Sequence, residues 1–336
     1  MTEMTASALA AYAEKLSRVK AEIGKAIIGQ KQVVDEVLIS LLAGGHCLLQ
    51  GVPGLGKTRL LRTLADVISL PFGRIQFTPD LMPSDLIGTE LLTRGQDGER
   101  RFEFQPGPVF ASMLLADEIN RTPPKTQAAL LEAMAERHVT FAGTSHPLPE
   151  PFFVMATQNP LEQAGTYPLP EAQLDRFLMM IEIDYPSLEE ERDILALTTR
   201  EATSAPQSVM TADDIIELQQ WVRQVMISDA MLDYAARLVR STRPSDQSSQ
   251  SRQWIRWGAG PRAGQAVIMS AKASALLNGR LAVTQDDIAA VAIPVMRHRI
   301  ILNYAADAEQ VTVDQVLREV IAELPGAHDP LAPETS

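Results

Sequence analysis

Along the first half of the chain, stretches with a helical apolar period alternate with short continuous apolar runs. The first two stretches predict amphipathic helices at residues 6–27 and 31–43. The apolar runs predict buried strands at residues 46–50, 73–77, 112–116, 152–157 and 178–183. Because helical segments separate these strands, we expect an α/β fold with a mostly parallel, doubly wound sheet.

From Ser187 onwards the pattern is helical only. Four predicted helices begin with a Ser or Thr that is followed three residues later by an acidic residue or Gln, the pattern of a capping box. The pairs are Ser187/Glu190, Thr211/Asp214, Thr284/Asp287 and Thr312/Gln315. We therefore expect an α/β core at residues 1–185, a small all-helical lid domain at 186–324 and a frayed tail at 325–336.

A polar segment at residues 241–260 predicts a loop between two lid helices. Two tryptophans, Trp254 and Trp257, lie in this segment. They could stack on a ligand, but the interpretation we favour is packing between the lid and the core.

The composition favours a soluble cytoplasmic protein. The 336 residues are 46% hydrophobic and carry a net charge of −12, which argues against the clustered basic face of a nucleic-acid-binding protein. The longest apolar runs, such as Ile288 to Met296, have about half the length of a membrane span, and the N-terminus lacks a signal-peptide pattern. The single cysteine, Cys47, predicts a core residue, and the five histidines show no metal-ligand spacing.

Residues Gly51 to Thr58 fit the P-loop pattern G-x-x-x-x-G-K-[ST]. Its glycines let several backbone N–H groups face one point, where phosphate oxygens bind. Lys57 would neutralise the β- and γ-phosphates and Thr58 would bind Mg²⁺. A predicted strand before the loop and a helix after it argue against a chance Gly/Pro-rich surface turn. The predicted ATP contacts in this segment are Gly51, Val52, Pro53, Gly54, Leu55, Gly56, Lys57, Thr58 and Arg59.

Two carboxylates, Asp117 and Glu118, follow the apolar run Met113 to Ala116. In open α/β sheets the C-terminal ends of the strands bind ligands. Asp117 would hold Mg²⁺ through water, and Glu118 would orient and deprotonate the attacking water. An ordinary acidic turn after a strand is the alternative, but the upstream P-loop favours the catalytic interpretation.

Three further residues could complete the site. Asn159 follows the strand at 152–157 and could bond the γ-phosphate and the attacking water, or simply cap an Asn-Pro turn. Arg176 could be an arginine finger supplied by a neighbouring subunit, or a surface residue paired with an acidic neighbour. Arg121 has the same two interpretations.

Arg262 lies in the first turn of a helix that begins at Pro261. The helix dipole disfavours a cation at this end, so the position is weak support for a functional role. The partner that we expect is a phosphate, reached from the lid.

Together these residues resemble the MoxR family of AAA+ ATPases. The similarity extends from Ile28 to about Leu324 and is most specific in residues 116–127, 157–160 and 165–177. The resemblance implies that Asn159 is the sensor 1 residue, Arg176 the arginine finger and Arg262 the sensor 2 residue. It also implies that Ile28 and Gly29 contact the adenine. The family usually has Ser where this chain has Gly260.

The resemblance further implies a homo-hexameric ring that remodels a protein client with a separate partner carrying a von Willebrand factor A domain. The family's two inserts would lie at about Leu91–Phe104, with a turn at 95–98, and at Val139–Pro151. The aromatic-aliphatic-Gly pore loop of threading unfoldases is not evident, which favours remodelling over threading.

Three alternatives remain open from the sequence. One is the ATPase subunit of a metal-chelatase-like complex, and another is a DNA-processing AAA+ motor. The arginines of the first insert are offset by acidic residues, which disfavours the DNA motor. The third is a non-hydrolysing nucleotide switch, which Glu118 argues against.

Overall fold

The computed structural model of the protein describes residues 6–94, 100–160, 165–199, 205–244 and 253–326. In chain order the strands are β1 Cys47–Gln50, β2 Phe72–Gln76, β3 Gly88–Arg94, β4 Arg100–Pro106, β5 Met113–Asp117, β6 His138–Phe141, β7 Thr144–Pro147, β8 Phe153–Gln158, β9 Met179–Glu182, β10 Ile255–Trp257 and β11 Ile301–Leu302. The helices are α1 Ala6–Gly24, α2 Lys31–Leu42, α3 Lys57–Val67, α4 Pro83–Ile87, α5 Pro124–Glu136, α6 Glu171–Leu174, α7 Leu188–Thr199, α8 Ala212–Gln224, α9 Asp229–Ser241, α10 Pro261–Leu277, α11 Gln285–Met296, α12 Tyr304–Ala308 and α13 Val313–Glu323.

The core is a five-stranded sheet in the order β2-β5-β8-β1-β9, and all four pairings are parallel. This confirms the predicted doubly wound α/β core. Apolar residues on both faces of the central strands are buried, as helices on each side of a parallel sheet require. In β5, for example, Leu115 packs into one apolar cluster and Leu114 into the other.

The two predicted inserts are antiparallel hairpins. The first is formed by β3 and β4, and its predicted turn at 95–98 lies outside the described residues. The second is formed by β6 and β7. Phe104 of β4 joins them, because its ring stacks on His146 at 4.1 Å between centroids and lies 5.3 Å from the ring of Phe141.

The lid is helical, and all four predicted capping boxes form their reciprocal hydrogen bonds. One feature was not predicted: β10, within the expected loop at 241–260, pairs with β11 in a short antiparallel ribbon. Residues 327–336 of the predicted tail lie outside the described residues. Among the helices that are described, none combines the length and apolar character needed to cross a membrane.

Helix α1 joins the lid to the core. On one side it packs against α3. On the other, the Tyr12 hydroxyl donates to Glu217 Oε2 of α8 at 2.5 Å, and the Tyr12 ring packs edge-on against Trp221 at 4.8 Å. Lys15 forms an ion pair with Asp214 at 2.7 Å. Burial and the carboxylates of Glu217 and Asp214 raise the pKa of Tyr12, so its hydroxyl remains a donor even at a pH above the ordinary tyrosine value of 10.0.

Candidate functional site

A cleft of about 460 Å³ lies at the C-terminal ends of the sheet strands. This is the edge at which open α/β sheets bind ligands. Residues from the loop after β1 and from the ends of β2, β5 and β8 form its wall. They are Pro53, Gly54, Gly56, Lys57, Thr58, Arg59, Arg74, Gln76, Asp117, Glu118, Thr157 and Asn159.

The P-loop connects β1 to α3 as predicted. Gly54 and Gly56 have φ angles of 89° and 78°, in the left-handed region where glycine is unstrained. The Lys57 ammonium group donates a hydrogen bond to the carbonyl of Gly51. Burial lowers the pKa of Lys57, while Asp117 and Glu118 act in the opposite direction. The loop thus presents a half-buried cation and a helix N-terminus to the cleft, as phosphate binding requires.

The segment predicted to contact adenine lies beside this loop. Gln30 Nε2 donates to the carbonyl of Leu55 at 3.2 Å, which ties Ile28 and Gly29 to the P-loop. Gly29 has a φ of 66°, and a methyl group there would lie 2.2 Å from Oε1 of Glu190. The first turn of α7 therefore packs directly against this segment.

The two predicted carboxylates lie in the cleft and are held by a residue that the sequence analysis missed. The Thr157 hydroxyl donates to Asp117 Oδ1 at 2.8 Å and accepts from the backbone N–H of Glu118 at 2.9 Å. Glu118 has a φ of 59°, an unusual conformation for a residue with a side chain. Thr157 thus fixes the directions of both acidic residues.

Two more unpredicted residues come from β2, the neighbour of β5. Arg74 pairs with Asp117 Oδ2 at 2.7 Å, and Gln76 Nε2 donates to Glu118 Oε2 at 2.6 Å. Arg121 also contacts Glu118, at 3.2 Å. Of the two interpretations of Arg121, the structure therefore favours pairing with an acidic neighbour, here Glu118 of its own chain.

The arrangement fits a magnesium ion bound mainly by nucleotide phosphates. Thr58 and Asp117 line the same cleft and offer the oxygen ligands that Mg²⁺ prefers. In the described part of the chain no cluster of three His, Cys, Asp or Glu residues could hold a metal without other ligands. Mg²⁺ in ATPase sites typically uses one or two protein groups with phosphates and water. Asn159 lies in the same wall and is 7% exposed.

Arg176 and Arg262 do not line this cleft. Arg176 precedes β9, at the end of the sheet opposite the P-loop, and its Nη1 donates to the carbonyl of Leu131 at 2.7 Å. Strands β1 and β9 are parallel and four residues long, so about 13 Å of strand separates the two ends.

Arg262 is held at that same opposite end. Its Nη1 bonds Asp175 Oδ2 at 3.0 Å, and Arg299 Nε bonds Asp175 Oδ1 at 2.7 Å. Burial lowers the pKa of Arg299, and Asp175 partly offsets this effect. A separate cavity of about 250 Å³ adjoins these groups. In this arrangement Arg262 pairs with Asp175 and does not line the cleft beside the P-loop of its own chain.

The structure also corrects one of the tryptophan expectations. Trp254 packs against the main apolar cluster, as expected. Trp257 is 68% exposed, because β10 holds it on the outer side of the ribbon beside Arg262 and not between the lid and the core. The prediction for Trp257 was wrong.

Comparison with known proteins agrees with this architecture. Residues 46–179 match the model of the ATPase family associated with various cellular activities (AAA), and residues 247–320 match the AAA lid domain. A solved structure from Cytophaga hutchinsonii, described as a candidate ATPase, superposes with a TM-score of 0.87 at 42% identity, over 94% of this chain and 96% of that one.

Curated relatives cover nearly the whole chain. Chaperone MoxR1 of Mycobacterium tuberculosis is 44% identical over 94% of this chain and 83% of its own length. Protein MoxR of Paracoccus denitrificans is 35% identical over 85% of this chain and 88% of its own length. With these relatives, and with a P-loop and paired carboxylates in one cleft, the chain belongs to the MoxR family of AAA+ ATPases and is an ATP-hydrolysing enzyme.

Proposed function

We propose that this chaperone-like ATPase works as a homo-hexameric ring in which Arg176 and Arg262 complete the cleft of the neighbouring subunit. One observation carries the proposal. Both arginines lie at the end of the sheet opposite their own P-loop, about 13 Å of strand away. An arginine that stabilises charge on the transferred phosphoryl group must reach that group. A neighbouring copy that presents this end to the cleft would supply both cations.

Within one cleft the roles follow from the contacts. Lys57 and the P-loop N–H groups bind the β- and γ-phosphates. Thr58 and Asp117 would hold Mg²⁺, which neutralises phosphate charge when it is bound. Glu118, directed by Thr157, accepts a proton from the water that attacks the γ-phosphorus. Asn159 would orient that water from the cleft wall.

The client in this proposal is a protein, and the partner is a separate protein with a von Willebrand factor A domain. The chaperone name of the mycobacterial relative supports this choice. The β3–β4 hairpin offers a surface for such contacts, since Leu92 and Phe102 are cross-strand partners and are 53% and 71% exposed. We assign the protein to the cytoplasm, the compartment that supplies ATP. Cofactors are ATP and Mg²⁺.

Subunit mixing tests the ring. Chains with Arg176→Ala keep an intact P-loop, and chains with Lys57→Ala keep intact arginines at the opposite end. Each variant alone should hydrolyse ATP poorly. A mixture should regain part of the activity, because some interfaces pair an intact P-loop with an intact Arg176. Arg262→Ala mixed with Lys57→Ala should behave in the same way.

A third mixture separates this proposal from one in which Arg262 serves its own chain. If both arginines act on the neighbour, mixing Arg176→Ala with Arg262→Ala chains restores nothing, since every interface lacks one of them. Recovery in that mixture would show that Arg262 acts within its own chain. A monomer whose specific activity does not change on dilution would refute the ring itself.

The DNA-motor and metal-chelatase alternatives make different predictions. A net charge of −12 opposes binding to polyphosphate, so DNA should not change the ATPase rate at physiological salt. A von Willebrand factor A-domain partner should change it. Strong stimulation of ATP hydrolysis by DNA would favour the DNA motor. A requirement of ATP hydrolysis for a metalloporphyrin precursor would favour the metal-chelatase complex.

A further inference from the structure

Helix α7 presents large apolar side chains to solvent. Leu188 is 84% exposed and Leu195, seven residues later on the same face, is 58% exposed. Tyr185, just before the helix, is 74% exposed. None of the α7 residues for which burial is described is buried. A soluble helix normally buries one apolar face, so this surface has the character of an interface.

The same helix is acidic. Glu189, Glu190 and Glu191 occupy its first turn, followed by Arg192 and Asp193. Within the described residues, Glu189 and Glu191 have no ion-pair partner. A surface of exposed leucines surrounded by carboxylates fits a partner that offers an apolar pocket beside cations.

The position of α7 in the fold is known from its contacts. It follows the C-terminal end of β9, and its Glu190 packs against Gly29, which is tied to the P-loop. Helix α7 therefore lies on the cleft side of the subunit.

A second surface with exposed aromatic and cationic side chains lies at the other end of the sheet. There a cavity of about 500 Å³ is lined by Glu171, Arg256, Trp257 and Ile301. Trp257 is 68% exposed, and Arg256 has no ion-pair partner among the described residues. Arg262 lies beside Trp257 in the adjoining cavity. Exposed Trp and Arg side chains are the residue types that most often dominate the binding energy of interfaces.

We propose that the cleft-side helix α7 of one copy docks on the Trp257–Arg256 cavity of the next copy. Leu188 would enter the apolar part against Trp257, with the first-turn glutamates facing Arg256. The two surfaces lie at opposite ends of the strands, so the contact is head-to-tail, and a head-to-tail contact repeats around a ring. It would bring Arg176 and Arg262 of one copy toward the cleft of another. The inference thus rests on the proposed ring and names the surfaces that form it.

Cysteine crosslinking of the full chain tests this contact. The only native cysteine, Cys47, is fully buried, and burial raises the pKa of its thiol, so it does not compete for reagent. Chains carrying both Glu189→Cys and Arg256→Cys are treated with a short bismaleimide in the presence of Mg²⁺ and a non-hydrolysable ATP analogue. Because each chain then carries both halves of a head-to-tail contact, we expect a ladder of crosslinked oligomers. The matched control carries Glu14→Cys, an exposed glutamate of α1, with Arg256→Cys, and should give no ladder.

Each outcome has a separate meaning. A ladder from the double variant, and none from either single variant, supports the docking. Efficient dimers from Glu189→Cys alone would mean that α7 pairs with α7, which overturns the proposal. If wild type assembles but the double variant does not crosslink, the docking is wrong and the ring stands. If wild type stays monomeric under these conditions, the ring itself fails.

A second variant tests the apolar anchor without crosslinking. Leu188→Ser should raise the concentration at which half of the chains are assembled by about tenfold or more, since a leucine no longer enters the neighbour's pocket. Nucleotide binding by the separate chain should not change. Leu92→Ser, a similarly exposed leucine on the β3–β4 hairpin, is the matched control and should assemble as wild type does. Equal behaviour of the two serine variants would contradict the proposal.

Discussion

Thr157 offers a sharp test of how the cleft is organised, because one hydroxyl group holds both acidic residues. Thr157→Val keeps the side-chain shape and removes the donor to Asp117 and the acceptor for the Glu118 N–H. A hydrogen bond to a charged group contributes about 1.5–3 kcal/mol. If this free energy stabilises only the transition state of ATP hydrolysis, its loss decreases kcat by about ten- to a hundredfold.

The assay is steady-state ATP hydrolysis over a range of Mg²⁺ concentrations, with thermal unfolding to check the fold. Among the described residues, the hydrogen bonds of the Thr157 hydroxyl go to Asp117 and Glu118 and not to the P-loop, so nucleotide affinity in the absence of Mg²⁺ should stay unchanged. Thr157→Ser retains the hydroxyl group and should hydrolyse ATP nearly as wild type does. The argument would be refuted if the valine variant kept full activity, or if the serine variant were equally impaired.

Two other predictions follow from the described contacts. Lys57→Ala should remove most nucleotide affinity, since it deletes the charge facing the phosphates. Glu118→Gln should keep ATP bound and stop turnover. Equal loss of ATP binding in both variants, measured by isothermal titration calorimetry, would contradict these separate roles. In the lid, burial alone would raise the pKa of Asp287, but hydrogen bonds from Arg280 and Thr284 hold it below the ordinary value of 3.8. Its contribution to stability is therefore present above that value and lost as the pH falls through the lower folded-state pKa. The difference in unfolding free energy between wild type and Asp287→Asn should be constant from about pH 7 to about pH 5 and shrink below about pH 4, and a difference that grew in acid would contradict the pairing.

The sequence predicted the features that depend on local pattern. The apolar run from Met113 to Ala116 predicted strand β5, and the two acidic residues that follow it, Asp117 and Glu118, were predicted as site residues. The spacing of the glycines predicted the P-loop. Thr157, Arg74 and Gln76 were missed because they act through strands that are distant in the chain and adjacent only in the sheet. Gln76, for example, is the register partner of Asp117, which no single-sequence pattern indicates.

In the lid, too, contacts between residues that are far apart in the sequence were not predicted. The short strand β10 pairs with β11, more than forty residues later, and so looked like part of a polar loop. The sequence indicated a phosphate partner for Arg262 but not its contact with Asp175, whose carboxylate it shares with Arg299. These residues are distant in the chain and meet only in the folded protein.

The attachment of α1 to both domains has a mechanical consequence. A swing of the lid against the sheet would have to break the Tyr12 hydrogen bond, the edge-on contact with Trp221 and the Lys15 ion pair together. In the proposed ring, each subunit should therefore move as one rigid unit, and nucleotide-driven motion should occur as rotation of whole subunits at the interfaces between them. The force on a client would then arise at the interfaces between neighbouring subunits. The rigidity of each subunit would determine how far a conformational change at one interface is transmitted around the ring.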